Sequence, residues 1–303
     1  MSKQIYEKVT ASILKQLEAG VAPWVRPWSA SPATPGQRGR MMPHNVASNR
    51  DYHGINVLIL MGTAMMKGYE TGAWATYKQI KERGGQVRKG ERATEVVYFG
   101  KLEVEDKRES AEPGATRVVP LLRYFSVFNI AQADWEKDPC KRQLTDEQEE
   151  VEDDTFPDAA ATIAATGATI KHGGDRAFYM PAGDLIMLPR KKSFVDLGAY
   201  YSTAFHELTH WTSAPSRCDR KLGTFFASPE YAFEELIAEL GSAFLCAAHG
   251  VDGQLRHAEY LGHWIKVLKE DNTAIFKAAA LAQKAADFVH PEPAAAEAEQ
   301  EAA

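Results

Sequence analysis

The strongest constraint on how this chain folds is an apolar run broken by two histidines four residues apart, Ala204-Phe205-His206-Glu207-Leu208-Thr209-His210-Trp211. On a helix, positions i and i+4 share one face a turn apart. Both imidazoles then reach a single cation while Ala204, Phe205, Leu208 and Trp211 pack inward. Two surface histidines would show the same spacing, so a third donor is needed to separate the readings. Glu234-Glu235-Leu236-Ile237-Ala238-Glu239 offers one, because carboxylates in an apolar helix are costly to bury unless paired or metal-bound. Glu235 is the expected ligand, with Glu234 and Glu239 competing. With Glu235 in that role, Glu239 lies one turn on and accepts a hydrogen bond from the far nitrogen of His206, fixing its tautomer.

Two His and one Glu leave the fourth position of Zn²⁺ open, as in catalytic rather than structural sites. Another divalent metal fits the same donors. Such a cation polarises a carbonyl and lowers a water pKa to about 7. Glu207, offset around the helix, is the expected catalytic base that takes the proton and passes it to a leaving amine. The reaction class is peptide hydrolysis. Ahead of the helix, Ala177–Met180 and Asp184–Pro189 are expected to form a hairpin whose edge holds an extended peptide by strand addition. Tyr231, Tyr260, His257 and His263 are candidates for oxyanion help.

At 303 residues the chain is long enough for two domains. Its 45% hydrophobic and 25% charged content excludes a disordered or collagen-like chain. Cys140, Cys218 and Cys246 are far apart with no CxxC, against a disulfide scaffold or Cys-type zinc finger and in keeping with a reducing compartment. The N-terminus lacks the apolar core of a signal peptide. The longest apolar stretch, Ile55 to Met66, falls short of the roughly 18 residues a membrane span needs. The expectation is a soluble, cytoplasmic protein with no membrane partner.

Charge divides the sequence. Residues 1–130 hold 19 Lys and Arg against 12 Asp and Glu, while residues 131–303 hold 16 against 29. An acidic run from Glu136 to Asp158 lies between them. The fold class is α+β in two domains: residues 1–135, an acidic linker 136–157, residues 158–290 and an acidic tail 291–303. Helices are expected over 3–19, 56–67, 76–83, 159–166, 197–212, 230–249, 254–270 and 273–288, and strands over 94–102, 118–128, 169–172, 176–180 and 184–188.

Cations and aromatics interleave in the basic half: Trp24, Arg26 and Trp28; Arg50, Tyr52 and Asn56; Trp74, Tyr77, Lys78 and Gln79; then Arg88 and Lys89. Single-stranded nucleic acid is held this way, bases stacking on rings and phosphates meeting Lys and Arg. Core packing of the rings is the competing explanation. No helix-turn-helix or zinc-finger spacing points to sequence-specific duplex reading. The acidic half is expected to repel DNA and confine it to the first.

Pro23-Trp24, Pro27-Trp28, Asn49-Arg-Asp-Tyr-His-Gly-Ile-Asn56, Trp74-Ala-Thr-Tyr-Lys-Gln79 and Val87-Arg-Lys-Gly-Glu91, followed by Tyr179-Met-Pro-Ala-Gly-Asp184, Tyr200–Trp211 and Glu234–Leu240, carry a wider likeness. The sequence resembles the ArdC-type antirestriction proteins of conjugative plasmids over nearly its whole length. The resemblance implies a single-stranded-DNA-binding domain, also seen in TraC-type primases, followed by a zincin-like metallopeptidase domain. It further implies protection of incoming conjugative DNA from host restriction, with an unidentified protein substrate such as a restriction-system component. A non-catalytic single-strand binder with a structural metal and a replication accessory protein are the alternatives.

Overall fold

A computed structural model of the chain describes residues 2–24, 42–105, 116–136, 156–222, 228–252 and 260–291. Arg26, Trp28, His257, Cys140, most of the acidic linker and nearly all of the acidic tail lie outside the described residues.

The chain opens with helix α1 (Ser2–Glu18), whose Ile5, Val9, Ile13 and Leu17 form one buried face at four-residue spacing. Helix α2 (Ile55–Lys67) ends at Gly68, whose left-handed backbone closes the last turn. Short helix α3 (Tyr77–Glu82) starts with a capping box between Thr76 and Gln79. Around these helices run β1 (His44–Asn45), β2 (Ala73–Ala75), β3 (Gly85–Val87), β4 (Thr94–Glu105), β5 (Thr116–Asn129) and β6 (Ala133–Trp135). The larger sheet has the order β1-β2-β5-β4, and β3 pairs with β6. Strands β4 and β5 match the expected pair and run longer, while β1, β2, β3 and β6 were not expected. Each is only two or three residues long and is held by neighbours rather than by its own pattern.

The second half opens with α4 (Pro157–Ala165), then β7 (Thr169–His172), β8 (Phe178–Met180) and β9 (Leu185–Leu188). The sheet order is β7-β9-β8, with β8 antiparallel to β9 as the expected hairpin requires. Helices α5 (Leu197–Trp211), α6 (Pro229–His249), α7 (Leu261–Glu270) and α8 (Ala274–Val289) follow. Asp196 caps α5 by accepting from the Ala199 N–H at 2.7 Å, and Ser228 caps α6 through the Tyr231 N–H. No helix among the described residues is long and apolar enough to cross a membrane.

One apolar core joins the halves. It takes Ile5, Ile13, Leu17 and Trp24 from the first and Leu236, Phe244, Trp264 and Ile275 from the second. Tyr6 meets Phe276 edge to face at 4.6 Å, and Thr10 donates to the Asn272 carbonyl at 2.7 Å. A smaller cluster of Leu60, Trp74, Val96 and Val127 lies under the first sheet.

Helices α5 and α6 approach closely at Gly241. A Cβ there would fall 2.6 Å from both Cγ2 and Oγ1 of Thr209, which is itself fully buried. Thr209 has little freedom to yield, because its hydroxyl donates to the Phe205 carbonyl at 2.8 Å. Gly241→Ala is therefore expected to cost about 1–3 kcal/mol through overpacking, measured by denaturant unfolding. An unchanged midpoint would show that α5 and α6 can separate freely.

Candidate metal centre

Helix α5 presents His206 and His210 to α6, which answers with Glu234, Glu235 and Glu239; His210 is slightly exposed and the rest are buried. The two oxygens of Glu235 face the two imidazoles: Oε2 lies 3.5 Å from His206 Nε2, and Oε1 lies 3.6 Å from His210 Nε2. One donor atom from each of the three residues lies within 4.8 Å of the others. That spacing and donor chemistry suit a divalent cation.

Behind the imidazoles stand two more carboxylates. Glu239 Oε1 lies 3.9 Å from His206 Nδ1, and Glu234 Oε1 lies 3.4 Å from His210 Nδ1. Each carboxylate favours a proton on Nδ1 and so leaves Nε2 facing Glu235. Glu234 is held in turn by Arg220, whose Nη2 and Nε donate to its two oxygens at 2.8 and 3.1 Å. Arg220 also donates to the Thr209 carbonyl and the Thr212 hydroxyl, tying the end of α5 to this pair. Sequence reasoning leaves Glu234 among the competing ligands and gives Arg220 no role. Only the fold reveals the pairing, since residues 14 apart in a connecting segment show no periodic signal.

The electrostatics of the cluster are strongly coupled. Burial opposes a charge on His210, but the carboxylates of Glu234 and Glu235 outweigh it and push the imidazole up to about 10. Burial likewise works against ionised Glu234 and Glu235. The imidazoles, with Arg220 beside Glu234, overcome it and hold both carboxyls below their ordinary range. Positive charge on His210 and Arg220 thus offsets the carboxylates that surround them.

Glu207 is buried and lines the same cleft, a space of about 280 Å³ with Phe178, Tyr179 and Tyr231 on its walls. Among the described residues, Tyr231 is the oxyanion candidate that reaches this cleft. Burial first, and then Glu235 beside it, raises its phenol well above the ordinary value, so it stays protonated. Tyr260 is instead buried in the core against Trp264, and His263 is on the surface. Strand β8, an edge of its sheet, borders the cleft. It is fixed by Arg217, which donates to both oxygens of Asp184 at 2.6 and 3.0 Å and to the Tyr179 hydroxyl. The Arg217 guanidinium also stacks 3.9 Å from the Trp211 ring centre at the end of α5.

The residues expected to meet nucleic acid divide sharply. Trp24 and Trp74 are corrections: both are buried at 1% exposure or less, Trp24 against Trp264 and Trp74 against Tyr69, so neither offers a ring face to a base. Asn56 spends both edges of its amide on the backbone of Val97, at 2.8 Å each way. Gln79 completes the α3 cap, and Arg88 bridges Glu91 and the carbonyls of Ala131 and Ala133. Tyr52 is half-buried beside the smaller core cluster. Arg50, Tyr77, Lys78 and Lys89 remain exposed. Sequence reasoning overlooked Tyr98 and Phe125, exposed on paired strands β4 and β5 with ring centres 5.8 Å apart, and Arg123 directly across from Tyr98. No period-two alternation along residues 121–127 marks which of these rings faces outward.

A family model described as the N-terminal domain of anti-restriction factor ArdC matches residues 3–128, and one described as zincin-like metallopeptidase matches residues 157–281. The crystal structure of antirestriction ArdC protein from the R388 plasmid, in its metal-free form, is 40% identical with a TM-score of 0.76. The match covers 94% of this chain and 96% of that one. The chain belongs to the ArdC antirestriction family. The Mn(II)-bound form of the R388 protein gives a TM-score of 0.72. An uncharacterized protein of Sinorhizobium fredii, y4eC, is 37% identical over 94% of this chain and 91% of its own length. DNA primase TraC of Escherichia coli is 40% identical over 95% of this chain, which spans only 27% of that primase. A second TraC is 38% identical, with 20% of its length spanned.

Replacing the carboxylate behind His210 should weaken cation binding without emptying the donor set. Glu234→Gln is expected to lower Mn²⁺ or Zn²⁺ affinity about 10–100-fold, read by calorimetric titration. Affinity equal to that of the unaltered protein would remove Glu234 from the site.

Proposed function

We propose that this chain is an antirestriction protein that grips single-stranded DNA and carries a zinc peptidase centre, protecting DNA that enters a bacterial cell by conjugation. His206, His210 and Glu235 are the metal ligands, Glu239 and Glu234 orient the two imidazoles, and Glu207 is the general base. The observation that carries this reading is Glu207, a carboxylate buried in the same cleft as the three donors, where a purely structural metal site would need none. The zincin-like family match and the Mn(II) bound by the R388 relative support a divalent metal.

When bound, the metal would supply Lewis acidity for a peptide carbonyl and acidify a water. The chain's own residues supply the rest. Glu207 accepts a proton and returns it to the departing amine. Tyr231, kept protonated, donates a hydrogen bond to the oxygen where negative charge develops. Strand β8 offers its open edge to an extended substrate, and the Arg217–Asp184–Tyr179 network keeps that edge in register with the cleft. The substrate is a protein, and a component of the restriction system fits the family's role.

The exposed rings and cations assigned to DNA lie in the first half. Tyr98, Phe125 and Tyr77 supply exposed ring faces, and Arg50, Lys78, Lys89 and Arg123 supply charge for phosphates. The TraC likeness favours one second reading, in which the same module serves a primase at a replicating strand.

Glu207→Gln tests the catalytic reading. Metal content should stay at the wild-type level, while protection of conjugated DNA in a restricting recipient should fall to the level of a strain lacking the protein. Full protection with metal retained would make peptidase chemistry irrelevant. For the DNA reading, Tyr98→Ala is expected to weaken single-strand binding by about 1–3 kcal/mol. Trp74→Ala should act through stability instead, so its loss of binding should follow loss of folded protein in a melting curve.

A further inference from the structure

One cavity draws its walls from both halves of the molecule. It measures about 350 Å³ and lies between the loop that follows β1 and helices α6 and α8. Met42, Phe244, Leu245 and Ala286 give it an apolar floor. Polar groups ring that floor: Arg50, Asp51 and His53 from the loop, and Gln283, Asp287 and His290 from the second half. An apolar base with a few convergent polar groups suits a flat, partly polar ligand.

The ring of charges narrows the ligand further. Asp51 and Asp287 would repel a phosphate placed inside. A nucleobase meets the same wall favourably, since its N–H groups donate to the carboxylates and its carbonyls accept from the N–H groups of His53, Gln283 and His290. The base must be unpaired, because pairing in a duplex would occupy that edge. Arg50, exposed at the rim, is placed to meet the backbone phosphate that stays outside.

The loop is pinned to α8 by a specific contact. The Gly54 N–H donates to Gln283 Oε1 at 2.9 Å, and Gln283 Nε2 donates to Asp287 at 2.8 Å. Gly54 has a φ of 56°, and a Cβ there would lie 4.0 Å from the Ala279 carbonyl on α8. Gln283 therefore bridges the loop and the acidic wall. The floor residues Phe244 and Leu245 sit on α6, the helix that also carries Glu234, Glu235 and Glu239.

We propose that this cavity receives one unpaired base of a single strand, so that α8 of the acidic half forms part of the DNA-binding surface. The inference rests on the single-strand reading above, and it adds a site that the basic half alone cannot make.

The test titrates the full chain with fluorescent thymidine strands of about 20 nucleotides and with abasic strands of the same length, at fixed salt. Ala248 is exposed and lines the cavity, so Ala248→Trp fills the space without removing a contact. It should cost about tenfold or more in thymidine-strand affinity and leave abasic-strand affinity unchanged. Asp287→Ala gives an independent arm. Removing a negative charge near DNA would by itself tighten binding, so weaker binding to the thymidine strand isolates the base contact. If the wild type binds thymidine strands and both variants bind them as tightly, the cavity proposal fails while the single-strand reading stands. If the wild type binds no single strand, both fall together.

Discussion

The close contact of α5 and α6 at Gly241 and Thr209 is the constraint on which the second half depends. Two imidazoles from one helix and a carboxylate from the other can converge only when the helix backbones lie near each other. Side chains of ordinary size at the crossing would hold them apart. Gly241 lies two residues beyond Glu239, and Thr209 lies next to His210, so this close approach falls beside the three candidate donors. The helix caps at Asp196 and Ser228 then fix where each helix begins.

Convergence brings an electrostatic problem. Three carboxylates and two imidazoles sit in an almost dry interface, where isolated charges are unfavourable by several kcal/mol each. Arg220 neutralises Glu234 through two hydrogen bonds, and the histidines offset part of the remainder. A core built only for stability would replace such a cluster with apolar side chains at little cost. Its presence makes sense when a cation completes it, with Glu234 and Glu239 serving the far side of each imidazole.

The parts of this architecture legible in the sequence were those with periodic patterns. The i and i+4 spacing of His206 and His210 read correctly as one helix face, and the apolar four-residue repeat of α1 marked its buried side. What the sequence hid had no local period. Strands β1 and β2 owe their existence to partners far along the chain, so nothing within His44–Asn45 or Ala73–Ala75 announces them. Aromatic residues set among cations proved ambiguous because the pattern does not separate a ring that faces solvent from one that faces a core. Trp24 and Trp74 turned inward, while Tyr98 and Phe125, in a stretch that reads simply as strand, turned out. Arg220 escaped notice because a buried ion pair depends on where a connecting segment returns, which charge patterning along the chain cannot reveal.

The shared core changes how the two halves should be regarded. The charge boundary suggests two independent units, yet the apolar face of α1 finds its partners on α7 and α8 rather than within the first half alone. Tyr6 packs on Phe276, Trp24 on Trp264, Thr10 bonds to Asn272, and Lys269 pairs with Glu18 at 2.7 Å. Cutting the chain at the acidic run would expose Ile5, Ile13 and Leu17 on one side and their partners on the other, at about 1.5–3 kcal/mol for each large side chain uncovered. A strand held by the basic half would therefore press on a body that extends to α8, and from α8 through α6 to the carboxylates of the metal centre. Any influence of DNA on the cleft has this packed route available to it, with no need for the acidic linker to carry it.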